Sequence, residues 1–134
     1  MKEKKDSGNT GFKNEVRNTP GGANVLNCFL CGSCTAGCPV NEIDDDYNPR
    51  KIMRMILLDQ KDELLSSKEL WKCNQCHACV SHCPQDVRFA DVLRALRELA
   101  VSQGYADAEL PEKIEKIDLE ARKQRLTKIA KELK

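Results

Sequence analysis

A chain of 134 residues holds one small domain plus tails, and 22 Lys and Arg against 21 Asp and Glu leave a formal charge of only +1. That balance excludes the basic stripe of a nucleic-acid binder, and no apolar run approaches the ~20 residues that cross a bilayer. With 4% aromatic and 32% charged residues, a purely apolar core is expected to be thin.

Residues 1–22, rich in Lys, Asn, Gly and Thr, read as a flexible tail. The polar start Met1-Lys2-Glu3-Lys4-Lys5-Asp6 lacks the apolar stretch of a secretory signal, so oxidative export and a disulfide framework are not indicated. Gly21 and Gly22 follow Pro20 in a loop and open no dinucleotide fingerprint, and no P-loop occurs. From Ala23, Asn24-Val25-Leu26-Asn27 leads into the run Cys28-x2-Cys31-x2-Cys34-x3-Cys38-Pro39. Phe29 and Leu30 stand between the first two cysteines, where they would shield a metal site.

Between Cys38 and Cys73 lie 34 residues that read as helical. The Asp44-Asp45-Asp46 run lacks calcium-loop spacing and reads as a solvated loop. Asn48 suits an N-cap and Pro49 the first helical position. Ile52, Met55 and Ile56 mark one face, widened by Met53, Leu57 and Leu58, over a rod of about 16 Å. A second start, Ser66-x-x-Glu69, has the form of a capping box and leads through Leu70 and Trp71 to the second run. Trp71 is expected to pack against the cysteine loop.

That second run, Cys73-x2-Cys76-x2-Cys79-x3-Cys83-Pro84, contains both histidines, His77 and His82, which are expected to hydrogen-bond or pack beside the site. Asp86 is a plausible N-cap for a helix over Val87–Ser102. Phe89, Val92, Leu93, Leu96, Leu99 and Ala100 recur there at helical spacing, and Gly104 supplies a stop. From Pro111 a charged amphipathic helix carries Leu119, Leu126, Ile129 and Leu133 on a narrow stripe, suited to fold back on the domain or to lie in a partner's groove. No period-2 strand is evident. The expectation is an all-α domain over 23–104, between a tail at 1–22 and a charged helix at 105–134.

The eight cysteines carry the chemistry. Each run has the spacing that wraps a cubane [4Fe–4S] cluster with three thiolates and sends the fourth, before proline, to a neighbouring cluster. This assigns Cys28, Cys31, Cys34 and Cys83 to one cluster, and Cys73, Cys76, Cys79 and Cys38 to a second. Zinc is the competing reading, but structural zinc usually takes two separate Cys-x2-Cys pairs. All eight thiols serve as ligands, no free nucleophile is left, and no residue is assigned a catalytic role. Each oxidised cluster with its thiolates adds about −2, taking the loaded chain to about −3. Backbone N–H groups around Gly32, Gly37 and Ala78 are candidate donors to sulfur, although both glycines also suit tight turns. Metal binding would supply folding free energy, so the iron-free chain is expected to be partly unfolded.

The succession of first run, helical connection with Tyr47-Asn48-Pro49-Arg50, Leu70-Trp71-Lys72-Cys73 and second run resembles the α-helical ferredoxins. These include the cluster domains of fumarate reductase and the cluster modules of glycolate and glycerol-3-phosphate oxidases. Over 23–104 the pattern is similar to the short C subunits of heterodisulfide reductases. The resemblance implies the same eight cluster ligands and a place in a cytoplasmic hetero-oligomer. There the chain would pass electrons from one partner, which contains flavin and iron–sulfur clusters, to a second, catalytic partner. In that family the catalytic partner holds CCG motifs and cleaves the disulfide of coenzymes M and B. This chain has no CCG motif, so no active site is expected on it. Related C-like subunits act with other substrates. An iron–sulfur subunit of a flavin dehydrogenase feeding quinone is the alternative, and a non-enzymatic iron–sulfur sensor a third. Neither nucleic acid nor direct membrane insertion is implied.

Overall fold

In the computed structural model, which describes residues 11–133, the chain is built from α-helices and short loops, with no strand among the described residues. In chain order these are α1 (Phe12–Arg17), α2 (Ser33–Ala36), α3 (Pro39–Ile43), α4 (Pro49–Leu57), α5 (Lys61–Leu65), α6 (Ala78–His82), α7 (Phe89–Ser102) and α8 (Leu110–Glu132). Single 3₁₀ turns at Val25–Asn27 and Lys68–Trp71 lead into the two cysteine runs. The all-α architecture matches the sequence expectation.

Helix α7 is the keel of the domain. Phe89, Ala90, Val92, Leu93, Ala95, Leu96, Leu99 and Ala100 are all buried on it, and α1, α5, α6 and the 68–71 turn pack around it. A Leu such as Leu93 or Leu96, wholly withdrawn from water, contributes roughly 1.5–3 kcal/mol. The helix begins at Phe89, two residues later than expected, and Asp86 does not cap it. Asp86 and Arg88 both take positive φ. The Asp86 carbonyl instead accepts from Asn24 Nδ2 at 2.9 Å, tying the loop after the second run to the approach to the first. Gly104, at φ +80°, ends the helix as expected.

Helix α4 starts where its caps require. Asn48 Oδ1 accepts from the Lys51 amide at 3.1 Å, and Pro49 opens the helix. Ile52, Met53 and Ile56 are buried. The second start is displaced by one residue: Ser67, not Ser66, caps a 3₁₀ turn by accepting from the Glu69 amide. Ser66 Oγ instead bonds back to the Asp62 carbonyl at 2.6 Å, at the end of α5. Helix α5 itself was not expected; the adjacent pair Leu64 and Leu65 is fully buried there.

Of the segment expected to be a flexible tail, residues 1–10 lie outside the described residues. Residues 12–17 form α1, whose Phe12 and Val16 sit in the core at i and i+4. Ion pairs from Lys61 to Glu15 (2.9 Å) and from Lys13 to Asp59 (3.4 Å) fasten α1 to the α4–α5 corner. Two apolar residues one turn apart are enough to recruit a helix that composition alone reads as polar tail. The loop that follows crosses α1 so closely that a Cβ on Gly22 would lie 1.9 Å from the Val16 carbonyl oxygen. Gly22→Ala is therefore expected to destabilise the domain by about 1–3 kcal/mol. An unchanged urea midpoint would contradict that packing.

Helix α8 buries no residue. Leu119, Leu126, Ile129 and Leu133 are exposed. The face turned toward the domain is a different one, with Ile114, Asp118 and Arg122 across a cleft from Trp71 and Arg97. None of the helices among the described residues is long and apolar enough to cross a membrane.

Candidate metal centre

The two cysteine runs share their left-handed turns and a short helix each. Leu30 and Gln75, each two positions after the first cysteine, take φ of +59° and +57°. Gly32 and His77, each four positions after it, are also left-handed and each precedes a short helix, α2 or α6. Cys38, one residue beyond the Gly37 cap of α2, and Cys83, the cap of α6, are both extended, just before proline. A left-handed residue curls the chain so that its amide points back at the preceding thiol. Leu30 N–H thus donates to Cys28 Sγ at 3.4 Å and Gln75 N–H to Cys73 Sγ at 3.3 Å. Val87 N–H donates to Cys83 Sγ at 3.4 Å.

These donors differ from those expected at Gly32, Gly37 and Ala78. Gly32 serves the turn, and Gly37 is needed for space. A Cβ on Gly37 would lie 2.4 Å from His82 Cδ2, because α2 and α6 pack directly on each other. His82 accordingly packs at the seam between the runs, and His77 supplies a left-handed turn, which His adopts more readily than most residues.

Packing α2 on α6 sorts the thiols into two groups. One cavity is lined by Cys28, Cys31, Cys34 and Cys83. A second is lined by Cys73, Cys76, Cys79 and Cys38. Each cavity has three thiols of one run and the pre-proline thiol of the other. The buried ring of Phe89 borders both. Among the described residues no three His, Cys, Asp or Glu side chains gather tightly enough to hold a single metal ion. Four soft sulfur donors at each cavity, with amides aimed at the sulfurs, suit a four-iron cubane.

The surroundings hold the runs in place. Thr35 Oγ1 donates to Asn48 Oδ1 and accepts from the Arg50 amide, both at 2.9 Å, which locks α2 to the start of α4. Arg50 Nε reaches the Leu30 carbonyl at 2.7 Å, beside the first cavity. On the second run, Arg97 donates to the Leu70 carbonyl (2.7 Å) and the Cys73 carbonyl (2.8 Å), with its guanidinium 5.3 Å from the centre of the Trp71 ring. Trp71 thus lies against Arg97, and Arg97 in turn holds the cysteine loop. Asp44, expected in a solvated loop, instead pairs with Lys72 at 2.6 Å, and Lys72 holds its carboxyl below the usual range.

Burial pushes the Cys28 and Cys34 thiols up, and that of Cys79 up to about 11. Cys31, exposed and hydrogen-bonded to Ser33, is lowered. Tyr47 was missed as a site residue, although it stands in the Tyr-Asn-Pro-Arg stretch. It is wholly buried, lines the second cavity and has no hydrogen-bond partner for its hydroxyl. Burial first, then the neighbouring Cys73, raises its pKa.

Residues 24–87 match the family described as "4Fe-4S dicluster domain". The chain is similar to the iron–sulfur C subunit of the CoB–CoM heterodisulfide reductase of Methanopyrus kandleri, 41% identical over 81 residues, covering 60% of this chain and 42% of that protein. It is also similar to the C2 subunit of the H2/formate:CoB–CoM heterodisulfide,ferredoxin reductase of Methanococcus maripaludis. There the identity is 36% over 103 residues, covering 72% of this chain and 55% of the relative. The C subunit of the H2:CoB–CoM heterodisulfide,ferredoxin reductase of Methanothermobacter thermautotrophicus is 36% identical over 85 residues, 63% of this chain and 45% of that protein. The matched segment thus spans about half the length of these relatives.

Proposed function

We infer, from a chain whose residues 24–87 belong to the 4Fe-4S dicluster domain family and which is homologous to the iron–sulfur C subunits of heterodisulfide reductases, that its task is to relay single electrons. The observation that carries this reading is the sorting of eight thiols into two crossed sets of four. In this reading Cys28, Cys31, Cys34 and Cys83 hold one [4Fe–4S] cluster, and Cys73, Cys76, Cys79 and Cys38 the second. Each cluster, when bound, supplies a one-electron site, so a pair can take up a flavin's two electrons in turn. The protein's own part is to hold, insulate and tune. Phe89 keeps the space between the sites dry, the left-handed turns aim amides at sulfur, and Arg50 and Arg97 brace the two loops.

The partners are a flavin-containing protein on the donor side and a CCG-type protein that reduces a disulfide on the acceptor side. Catalysis belongs to the latter, and the chain here serves a cytoplasmic hetero-oligomer as its wire. Anaerobic affinity purification of the chain should recover about eight irons per chain, together with flavin- and CCG-bearing subunits. Eight irons with a quinone-linked dehydrogenase would give the wire a different destination, and two zincs without iron would overturn the reading.

A further inference from the structure

We propose that Tyr47 donates a hydrogen bond to the cluster held by Cys73, Cys76, Cys79 and Cys38 and thereby raises that site's reduction potential. The inference rests on the two-cluster reading and adds to it a residue that sets one site apart from its twin. Tyr47 is fully buried, and its hydroxyl has no hydrogen-bond partner. A buried hydroxyl left without a partner destabilises a fold, and phenylalanine would fill the same space without that cost. The ring lines the cavity of Cys38, Cys73, Cys76 and Cys79. The acceptor that the hydroxyl lacks is therefore sulfur carrying negative charge in that cavity.

The internal repeat supplies a control within the same molecule. Tyr47 stands immediately before Asn48, the cap of α4, the second helix after the first run; Val87 stands immediately before Arg88, the cap of α7, the first helix after the second run. Each lines the cavity to which the preceding pre-proline cysteine contributes. Beside its helix cap, then, one site meets a phenol hydroxyl, and the other meets an isopropyl group whose residue donates only its amide, to Cys83. The first cysteines differ in the same sense. Cys28 receives only the Leu30 amide, whereas Cys73 receives the Gln75 amide and also Gln75 Nε2 at 3.6 Å. An arginine stands near each loop, so a nearby cation does not distinguish them. Donors to sulfur favour the more negative, reduced state, which raises the potential.

The test uses the full chain, reconstituted anaerobically, with both midpoints read by redox titration followed by electron paramagnetic resonance. In Tyr47→Phe, one midpoint is expected to fall by the equivalent of about tenfold in the reduced-to-oxidised ratio, about 59 mV for one electron, while the other stays. Resonance Raman iron–sulfur bands should shift between H2O and D2O in the parent protein, with part of that shift lost in the variant. Should the variant not load iron, 3-fluorotyrosine incorporation keeps the shape and strengthens the donor, and the same midpoint should rise. Full iron content with both midpoints and the solvent-isotope shift unchanged would overturn the role of Tyr47. A parent protein that never holds about eight irons would overturn the two-cluster reading beneath it.

Discussion

Cys83→Ser is expected to damage the site of Cys28, Cys31 and Cys34, some 50 residues away in sequence, and to spare the site nearest to it along the chain. Serine keeps the shape but offers a harder donor than thiolate, so iron is held poorly at that corner. The extended backbone of Cys83 (φ −77°, ψ 118°) swings its side chain off the end of α6 and across to the opposite cavity. Iron per chain should drop from about eight to about four, and the remaining signal should belong to the thiols of Cys73, Cys76, Cys79 and Cys38. Cys38→Ser should give the reciprocal result. Mössbauer or paramagnetic resonance damage confined to the run that carries the substitution would show that the ligation is not crossed.

Chelation of iron under reducing conditions is expected to melt the two cysteine runs while leaving a helical remnant around α7. Helices α2 and α6 have four and five residues, and only Cys79 among them is buried. Isolated helices that short are not stable in water, so both depend on the site they frame. Phe12, Val16, Ile52, Ile56, Leu64, Leu65, Leu93 and Leu96 belong to the buried apolar core and are not metal ligands, so their mutual packing does not require iron. Hydrogen exchange should therefore show protection lost over 28–40 and 73–84 and retained over 89–100, with only part of the far-UV circular dichroism gone. Exchange unchanged over the two runs after iron removal would sink this expectation. So would complete loss of protection in α7.

The structure makes plain which features a sequence carries in local form. The helix α4 cap, the stop at Gly104 and the α7 stripe are each written in a few adjacent residues, and each is found close to its expected place. The spacing leads to the expectation that Cys38 joins the second run and Cys83 the first; the two cavities are lined by thiols in those same groups. What escaped depends on distant partners. Helix α1 is helical because Phe12 and Val16 find the core, and α5 because Leu64 and Leu65 do. Nothing in the 4% aromatic content hints that so few rings suffice once α7 buries eight of its fourteen residues. The amide donors were misplaced for a different reason: left-handed turns at Leu30 and Gln75 are uncommon for such side chains, and no residue-type rule announces them. Arg97 falls outside the apolar stripe of α7 and carries no local signal of a role, yet its guanidinium donates to the carbonyls of Leu70, just ahead of the second run, and of Cys73 within it.

The contact of Gly37 with His82 bears on how such a repeat ages. The two runs share spacing, turns and helices, as a duplicated unit would, but where they touch one offers a hydrogen and the other an imidazole. Two copies of the first half, joined in tandem, would meet with a hole at the seam. Two copies of the second would set two rings in one space. Each half presupposes the other: alike in cysteine spacing, the two runs are unlike where they touch and fit only as a matched pair.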